Sequence, residues 1–132
     1  MSQTLAPEKR RLIDIDVLAS IAPEFLEDSF VYVHCKLPIV EAGMLVRIWR
    51  TTVLRDCHSS AHSKLIHAEN ISYAPVWTMI PDRGTYTFLL IFEALPKSCT
   101  QFDLIEDIPE QNGFLVKNIV RNKSDVYQVN LL

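Results

Sequence analysis

The sequence predicts an all-β protein: a two-sheet antiparallel β-sandwich of immunoglobulin-like (Ig-like) character, with about eight or nine short strands. Three observations predict this class. Short runs rich in β-branched and aromatic residues recur along the chain, proline and glycine turn signals separate them, and no run has the length and period of a helix. The densest region lies between residues 85 and 120, where three such runs follow one another.

The length of 132 residues suits one domain. Residues 1–10 are polar, contain Pro7 and show no period, so we expect a flexible N-terminal arm there. Residues 11–132 are then expected to form a single β-sandwich domain.

The first half of the chain contains three predicted strands. Apolar residues alternate with two aspartates over residues 12–17, the pattern of a strand with one wet face. Residues 29–37 form the next extended run, and Pro38 ends it or marks a sheet edge. Residues 44–54 predict one long strand, and the small polar residues 56–63 predict a loop.

The second half is punctuated by prolines and glycines. Residues 64–72 and 77–80 form extended pieces, and residues 81–84 are typical of a turn. Four further strands are then expected, over residues 86–92, 102–105, 114–120 and 125–131.

Composition narrows the classes of function. A net charge of -3 gives no general attraction to nucleic acid, and residues 88–92, the longest apolar run, are too short to span a membrane. Three glycines provide no phosphate-binding loop, and we expect no cofactor. Three cysteines suggest free thiols and a cytoplasmic location, with export as the alternative.

A series of strand and turn residues over residues 44–120 carries a family resemblance: Ser63-Lys-Leu-Ile-His-Ala-Glu69, Trp77 followed by Pro81, Thr87-Phe-Leu-Leu-Ile-Phe92, Leu95-Pro-Lys97, Phe102-Asp-Leu-Ile-Glu106 and Gly113-Phe-Leu-Val-Lys-Asn-Ile119. The series resembles an uncharacterised bacterial family of Ig-like β-sandwich domains of unknown function. The resemblance leaves the N-terminal third unmatched. It implies the sandwich fold and no known catalytic residues, and since family members commonly occur in exported or multidomain proteins, it keeps export open.

The sharpest chemical feature is a set of four histidines: His58, His62 and His67, with His34 on an earlier strand. Imidazole nitrogens suit Zn²⁺ or copper. However, the spacings match no known zinc signature, and odd spacings on a strand place side chains on opposite faces. Metal binding, or a metal-dependent enzyme, is therefore the alternative to solvent-exposed loop histidines.

Other candidate sites have structural explanations that we favour. Cys35 and Cys57 each neighbour a histidine, but adjacent residues on a strand point to opposite faces, which argues against a Cys–His nucleophile pair. We predict Cys35 in the core, and Cys99, in a polar turn, as the exposed thiol. Asp103 is expected to accept backbone N–H groups and so to fix the corner after Pro96, rather than to catalyse. Trp49 lies between two arginines, as in base-stacking sites, but we expect it in the core.

The resulting prediction is a non-enzymatic interaction or structural module without catalytic residues. Sheet faces and edge strands are what such folds offer to a protein partner, another copy of the chain included. The last strand ends at the C-terminus, so Val129 and Leu131 are predicted to contact the partner. A second alternative is a carbohydrate-binding module that uses Trp77 and Tyr73 as exposed aromatic residues.

Overall fold

The structure is a computed structural model that describes residues 30–108 and 113–131. These residues form nine strands and no helix, which confirms the all-β class for the described part of the chain. The strands are β1 (Val31–Ile39), β2 (Leu45–Val46), β3 (Val53–Asp56), β4 (His62–Glu69), β5 (Thr78–Met79), β6 (Gly84–Phe92), β7 (Gln101–Ile105), β8 (Leu115–Val120) and β9 (Val126–Asn130). The predicted arm over residues 1–10 and the predicted strand over residues 12–17 lie outside the described residues.

Seven strands form one continuous sheet in the order β8-β7-β3-β4-β6-β1-β9, and β2 and β5 form a separate small sheet. This differs from two stacked sheets of similar size. Among the nine strands the pairing is antiparallel except between β1 and β9, which run parallel. The all-antiparallel prediction is wrong at this pair, because β9 begins beside the start of β1, where Tyr32 donates its backbone N–H to the Asp125 carbonyl at 2.8 Å.

The seven-stranded sheet curls strongly, towards a barrel. A flat sheet would separate its edge strands β8 and β9 by about 29 Å, at roughly 4.8 Å per strand. The connection from Val120 to Val126 spans at most about 21 Å when fully extended. Curling also brings the inner faces of β7 and β9 together, where the rings of Phe102 and Tyr127 meet edge to face at 5.0 Å.

The core fills the inside of this curl. Alternate residues of each long strand point inwards, as the strand period requires. The largest fully buried side chains of this core are Phe92, Phe102, Ile48, Leu54, Leu90, Leu104, Val31, Val33 and Cys35. The expectation that Cys35 is a core residue is confirmed.

Residues 44–54 do not form the single strand that we predicted. The chain pairs at β2, makes an isolated bridge from Ile48 to Tyr73, and turns before β3. In this turn both the backbone N–H and the hydroxyl of Thr52 donate to the Trp49 carbonyl, at 3.0 and 2.7 Å. A threonine hydroxyl that bonds to nearby backbone competes with ladder formation, which explains the break.

Pro38 lies inside β1 and does not end it. It pairs in register with Thr85 of β6, whereas β9 pairs only with residues 32–36 of β1. At Pro38 the strand is therefore an edge on one side, where proline is tolerated because it has no N–H to donate. The prediction that Pro38 marks an edge is confirmed.

Asp103 occupies an irregularity in the pairing of β7 with β8, between Phe102 and Leu104. Its carboxylate accepts the backbone N–H of Asn118 at 2.9 Å, and Asn118 has a positive φ of 59°. This hydrogen bond is the main cause that lowers the pKa of Asp103. The predicted backbone-capping role is confirmed, but it operates at this irregularity rather than at the corner after Pro96.

Arg121 holds the connection between β8 and β9. Its guanidinium donates to both carboxylate oxygens of Asp125, at 2.6 and 3.0 Å, and to the backbone carbonyls of Pro96 and Cys99. Tyr127 donates its hydroxyl to the same carboxylate at 2.8 Å. One arginine thus joins the β8–β9 connection to the segment between β6 and β7.

Candidate partner-binding surface

The small sheet presents apolar side chains to solvent. Leu45 of β2 pairs with Met79 of β5, so their side chains lie next to each other. Met79 is 78% exposed, and Trp77, two residues earlier, is 51% exposed. Val40 and Val76 in the flanking loops are exposed as well. We call these five residues the small-sheet face.

Hydrogen bonds join the segment after β2 to the segment before β5 and to Thr78 of β5. Ile48 donates its N–H to the Ser72 carbonyl at 2.9 Å, and Ala74 donates to the Ile48 carbonyl at 2.8 Å. Ser72 in turn donates its N–H to the hydroxyl of Thr78, at 3.0 Å. Because Ile48 is fully buried, these bonds fix the small sheet relative to the core.

A cleft of about 290 Å³ lies between the small sheet and the open end of the curl. Leu45 and Trp77 line it from the small sheet, while Leu37, Phe88 and Leu131 line it from the main sheet or its end. The lining is mostly apolar, with Arg47 and Glu106 as its charged members. An apolar recess with few polar groups, at the mouth of a curled sheet, is typical of a binding site.

Two arginines stack on aromatic rings beside the cleft. The guanidinium carbon of Arg47 lies 3.8 Å from the centroid of Trp77 and 5.3 Å from that of Trp49. That of Arg50 lies 3.8 Å from the centroid of Tyr73. Trp49, which we expected in the core, is only partly buried, and both arginines stack on aromatic rings of the protein itself.

The stacked arginines also affect whether Trp77 and Tyr73 could bind a carbohydrate. Trp77 and Tyr73 each have a guanidinium against the ring, and Tyr73 is only partly exposed. Desolvation is the main cause that raises the pKa of Tyr73. A sugar platform needs open ring faces, so the observed stacking does not favour this alternative.

The four histidines occupy separate places. His34 pairs with Leu89 and Gln128 in β1, His58 lies in the β3–β4 turn, and the Nδ1 atom of His62 lies 2.7 Å from the Ser60 carbonyl. His67 lies in β4 with its Nε2 atom 3.4 Å from a Glu69 carboxylate oxygen. Within residues 30–108 and 113–131, no three histidine, cysteine, aspartate or glutamate side chains are grouped to hold a metal ion.

Val129 and Leu131 lie in the core rather than at the surface, and Leu131 is only 5% exposed. The predicted contact with a partner requires exposed side chains, whereas β9 lies beside β1 in the main sheet and turns both residues inwards. Leu131 still lines the cleft, whereas Val129 does not. The predicted last strand is present and lies at an edge of the main sheet, but these two side chains point to its buried side.

The cysteines do not form nucleophilic pairs with histidines. The Cys57 sulfur lies 3.4 Å from an Asp103 carboxylate oxygen, and desolvation followed by this carboxylate raises the pKa of the thiol. Burial also raises the pKa of Cys99. Cys99 is buried rather than exposed, so that prediction is wrong.

Sequence reasoning missed the small-sheet face. Its members come from three short segments, and the pairing of Leu45 with Met79 unites two of them. One signal was available: Val76, Trp77 and Met79 stand between Pro75 and Pro81, in a segment too short to bury all of its side chains.

No helix among the described residues is long and apolar enough to cross a membrane. Comparison of the chain with protein-family models, with curated proteins and with solved structures gives no match.

Proposed function

We propose that this protein is a non-enzymatic β-rich interaction module that binds another protein through the small-sheet face and the adjoining cleft. The concentration of exposed apolar side chains on the small sheet and in the segments beside it carries this proposal. Of the eight large apolar residues exposed in the described part of the chain, five belong to this face. Grouped apolar residues on a surface are characteristic of protein contacts, whereas single ones are ordinary.

The cleft supports a particular mode of binding. A volume of about 290 Å³ is at the lower end for small-molecule pockets and is suited to one large apolar side chain. An anchor side chain that fills such a recess, surrounded by a flatter apolar rim, is the usual arrangement of an interface hot spot. We infer that the partner inserts one aromatic or large aliphatic residue beside Trp77.

Rigid aromatic residues at the rim support the same mode. Arg47 holds the Trp77 ring by stacking and also donates to the Pro75 carbonyl at 3.3 Å. A ring fixed before binding loses little conformational entropy when a partner covers it. Tryptophan and arginine are also the residues that contribute most often to interface hot spots.

Predictions about the fold variant, the family and the cellular location also form part of this proposal. We propose an Ig-like variant of the sandwich for the curled sheet, the resembling bacterial family as its relatives, and a cytoplasmic location. The raised pKa values of the Cys57 and Cys99 thiols argue against a cysteine nucleophile, because the thiolate is the reactive form.

Quantitative affinity capture from lysate of the source cells tests the proposal with three matched forms of the full chain. Val76→Asp and Met79→Asp place a charge on the small-sheet face. Val120→Asp makes the same change at a residue 69% exposed at the far end of β8. We expect one protein to be captured by the wild type and by Val120→Asp, and to be lost from the other two. Equal capture by all forms, or no enrichment by any, would contradict the proposal.

A further inference from the structure

Glu106 gives the cleft a hydrogen-bond acceptor in a fixed place. It directly follows β7, and its backbone N–H donates to the Phe114 carbonyl at 2.9 Å, so the pairing of β7 with β8 continues through this residue. A β-carbon on Gly113 would collide with the Glu106 carbonyl, so glycine is needed where the two segments pass. The backbone of Glu106 is therefore held at the end of the main sheet, where this residue lines the cleft.

The Glu106 carboxylate has capacity for a further hydrogen bond. Its Oε1 atom accepts the Phe114 N–H at 3.4 Å, which is longer than the usual distance of about 2.9 Å. An ionised carboxylate accepts hydrogen bonds at about four lone-pair positions and donates none. Glu106 is also half-buried. A donor that reaches it from the cleft is thus partly shielded from water, which strengthens a hydrogen bond to a charged group.

The rest of the lining restricts which donor can enter. Apolar side chains from both sheets, among them Leu45, Phe88 and Leu131, line the same cleft, so the entering group needs an apolar body. Arg47 is the one basic residue among the described residues of the lining, and its positive charge opposes the entry of a lysine or an arginine. The charges of the cleft therefore favour a neutral donor at the tip of an apolar side chain.

Aromatic side chains with a polar atom satisfy both conditions. Tyrosine and tryptophan combine a large apolar ring with one O–H or N–H donor, whereas serine, threonine and the amides have too little apolar surface for a cleft of about 290 Å³. Phenylalanine and leucine would fill the volume but bring no donor. They would cover the Glu106 carboxylate without replacing the water that it loses, and this desolvation is unfavourable.

We infer that the partner anchors in the cleft through a tyrosine or a tryptophan whose O–H or N–H donates to the Glu106 carboxylate. The inference rests on the proposed function, because it specifies the side chain that enters the same cleft. Glu106 then determines specificity, since it excludes the aliphatic residues and the phenylalanine that the shape of the cleft alone would accept.

Three soluble amino-acid amides test the inference on the full chain. N-acetyl-tyrosinamide has the donor, N-acetyl-phenylalaninamide lacks the hydroxyl, and N-acetyl-O-methyltyrosinamide keeps the oxygen without its hydrogen. NMR titration, followed at the methyl groups of Leu37, Leu45 and Leu131, measures the three dissociation constants. We expect the tyrosine amide to bind about tenfold more tightly than the other two, as a hydrogen bond to a charged group allows.

The possible outcomes separate this inference from the proposed function. Equal affinities of the three amides would overturn the inference and leave the proposed function standing, because the cleft would still accept an anchor side chain. No binding by any amide, or shifts only outside the cleft, would overturn the inference together with the anchoring mode. Affinity capture with the small-sheet variants decides independently whether that face binds a protein.

A matched pair of variants identifies the acceptor. Glu106→Leu removes the carboxylate from the cleft, and Asp107→Leu removes one from the next residue, which is exposed and does not line it. We expect the preference for the tyrosine amide over the phenylalanine amide to be lost in Glu106→Leu and kept in Asp107→Leu. A preference that survives in Glu106→Leu would overturn the inference.

A third variant covers the case in which Glu106→Leu does not fold. Glu106→Gln keeps the shape of the side chain and an acceptor oxygen but removes the charge. We expect it to lower the preference for the tyrosine amide to about threefold, because a hydrogen bond to an uncharged acceptor is roughly half as strong. An unchanged tenfold preference in this variant would also contradict the assigned role of Glu106.

Discussion

At the scale of single residues, polar side chains of this protein chiefly serve as hydrogen-bond partners for nearby backbone groups. Asp103 accepts the Asn118 N–H where the β7–β8 pairing is irregular, and Asp56 accepts the His58 N–H and the Ser59 hydroxyl in the β3–β4 turn. These bonds satisfy groups that the ladder leaves without partners. The Asp103 carboxylate, which was a candidate catalytic group in the sequence, thus has structural partners.

Removing the Asp103 carboxylate should destabilise the fold. Asp103→Ala leaves the Asn118 N–H without its acceptor, and we expect a loss of about 1–3 kcal/mol in the free energy of unfolding. Asp103→Asn keeps an acceptor oxygen and should lose less. Urea denaturation at pH 7 measures both, with the exposed Asp82→Ala as the control. Equal midpoints for Asp103→Ala and Asp82→Ala would contradict the assigned role.

The lowered pKa of Asp103 predicts a pH dependence. Because the folded-state pKa lies below the unfolded value of about 3.9, its contribution is fully present above that value and is lost as the pH falls through the folded pKa. The stability difference between wild type and Asp103→Asn should therefore shrink below about pH 4. Denaturation series from pH 2 to pH 7 measure it, and a constant difference would exclude the ionised carboxylate as its source.

Arg121 should not be replaceable by lysine. Its planar guanidinium bonds both Asp125 oxygens and two carbonyls at once, whereas an ammonium group cannot reproduce this fork. We expect Arg121→Lys to lower the free energy of unfolding by about 1–3 kcal/mol, although the charge is kept. Lys123→Arg, an exposed neighbour, is the control for thermal denaturation. An unchanged melting temperature for Arg121→Lys would show that charge alone suffices.

At the scale of elements, β9 has one face in the core and one face towards solvent. Its inward residues belong to the core and its outward residues to the surface. Val129→Ala should cost about 2 kcal/mol, since it deletes two buried methyl groups and leaves a cavity. Val126→Ala, the same change on the other side of the strand, should cost under about 1 kcal/mol. Chemical denaturation compares them, and equal costs would contradict the assigned faces.

The small sheet should be the least protected of the pairings. Strands of two residues bury few hydrogen bonds, whereas β1 and β6, both interior strands of the main sheet, pair over nine residues. Hydrogen–deuterium exchange should therefore be slowest in β1 and β6 and much faster in β2 and β5. Protection of Thr78 and Met79 as strong as that of Leu90 would contradict this order.

The strands with clear local signals could be predicted from the sequence. Residues 86–92 combine a dense apolar run with a preceding turn, and β6 covers them. The break between β2 and β3, within residues 44–54, could not be predicted, because it depends on the hydrogen bond from the Thr52 hydroxyl to the Trp49 carbonyl. The direction of Val129 and Leu131 depends on the parallel neighbour β1, which local pattern cannot reveal. The binding surface likewise exists only after Leu45 and Met79 have paired.

At the scale of the whole molecule, the curl creates the cleft. It leaves an open end where the small sheet lies, and Leu131, Phe88 and Leu37 meet there from strands far apart in sequence. The short connection between β8 and β9 requires the sheet to curl. The cleft therefore follows from the strand order of the main sheet. The small-sheet face adds exposed apolar area beside this opening, and together they make the proposed binding surface.

The most direct test of the binding surface is photo-crosslinking in the source cells, with a photoreactive amino acid at position 79 and, as the control, at position 120. Both sites are largely exposed, but only position 79 belongs to the small-sheet face. The account predicts a discrete adduct with a second protein from position 79 and none from position 120. No adduct at position 79, or the same adduct from both positions, would contradict it.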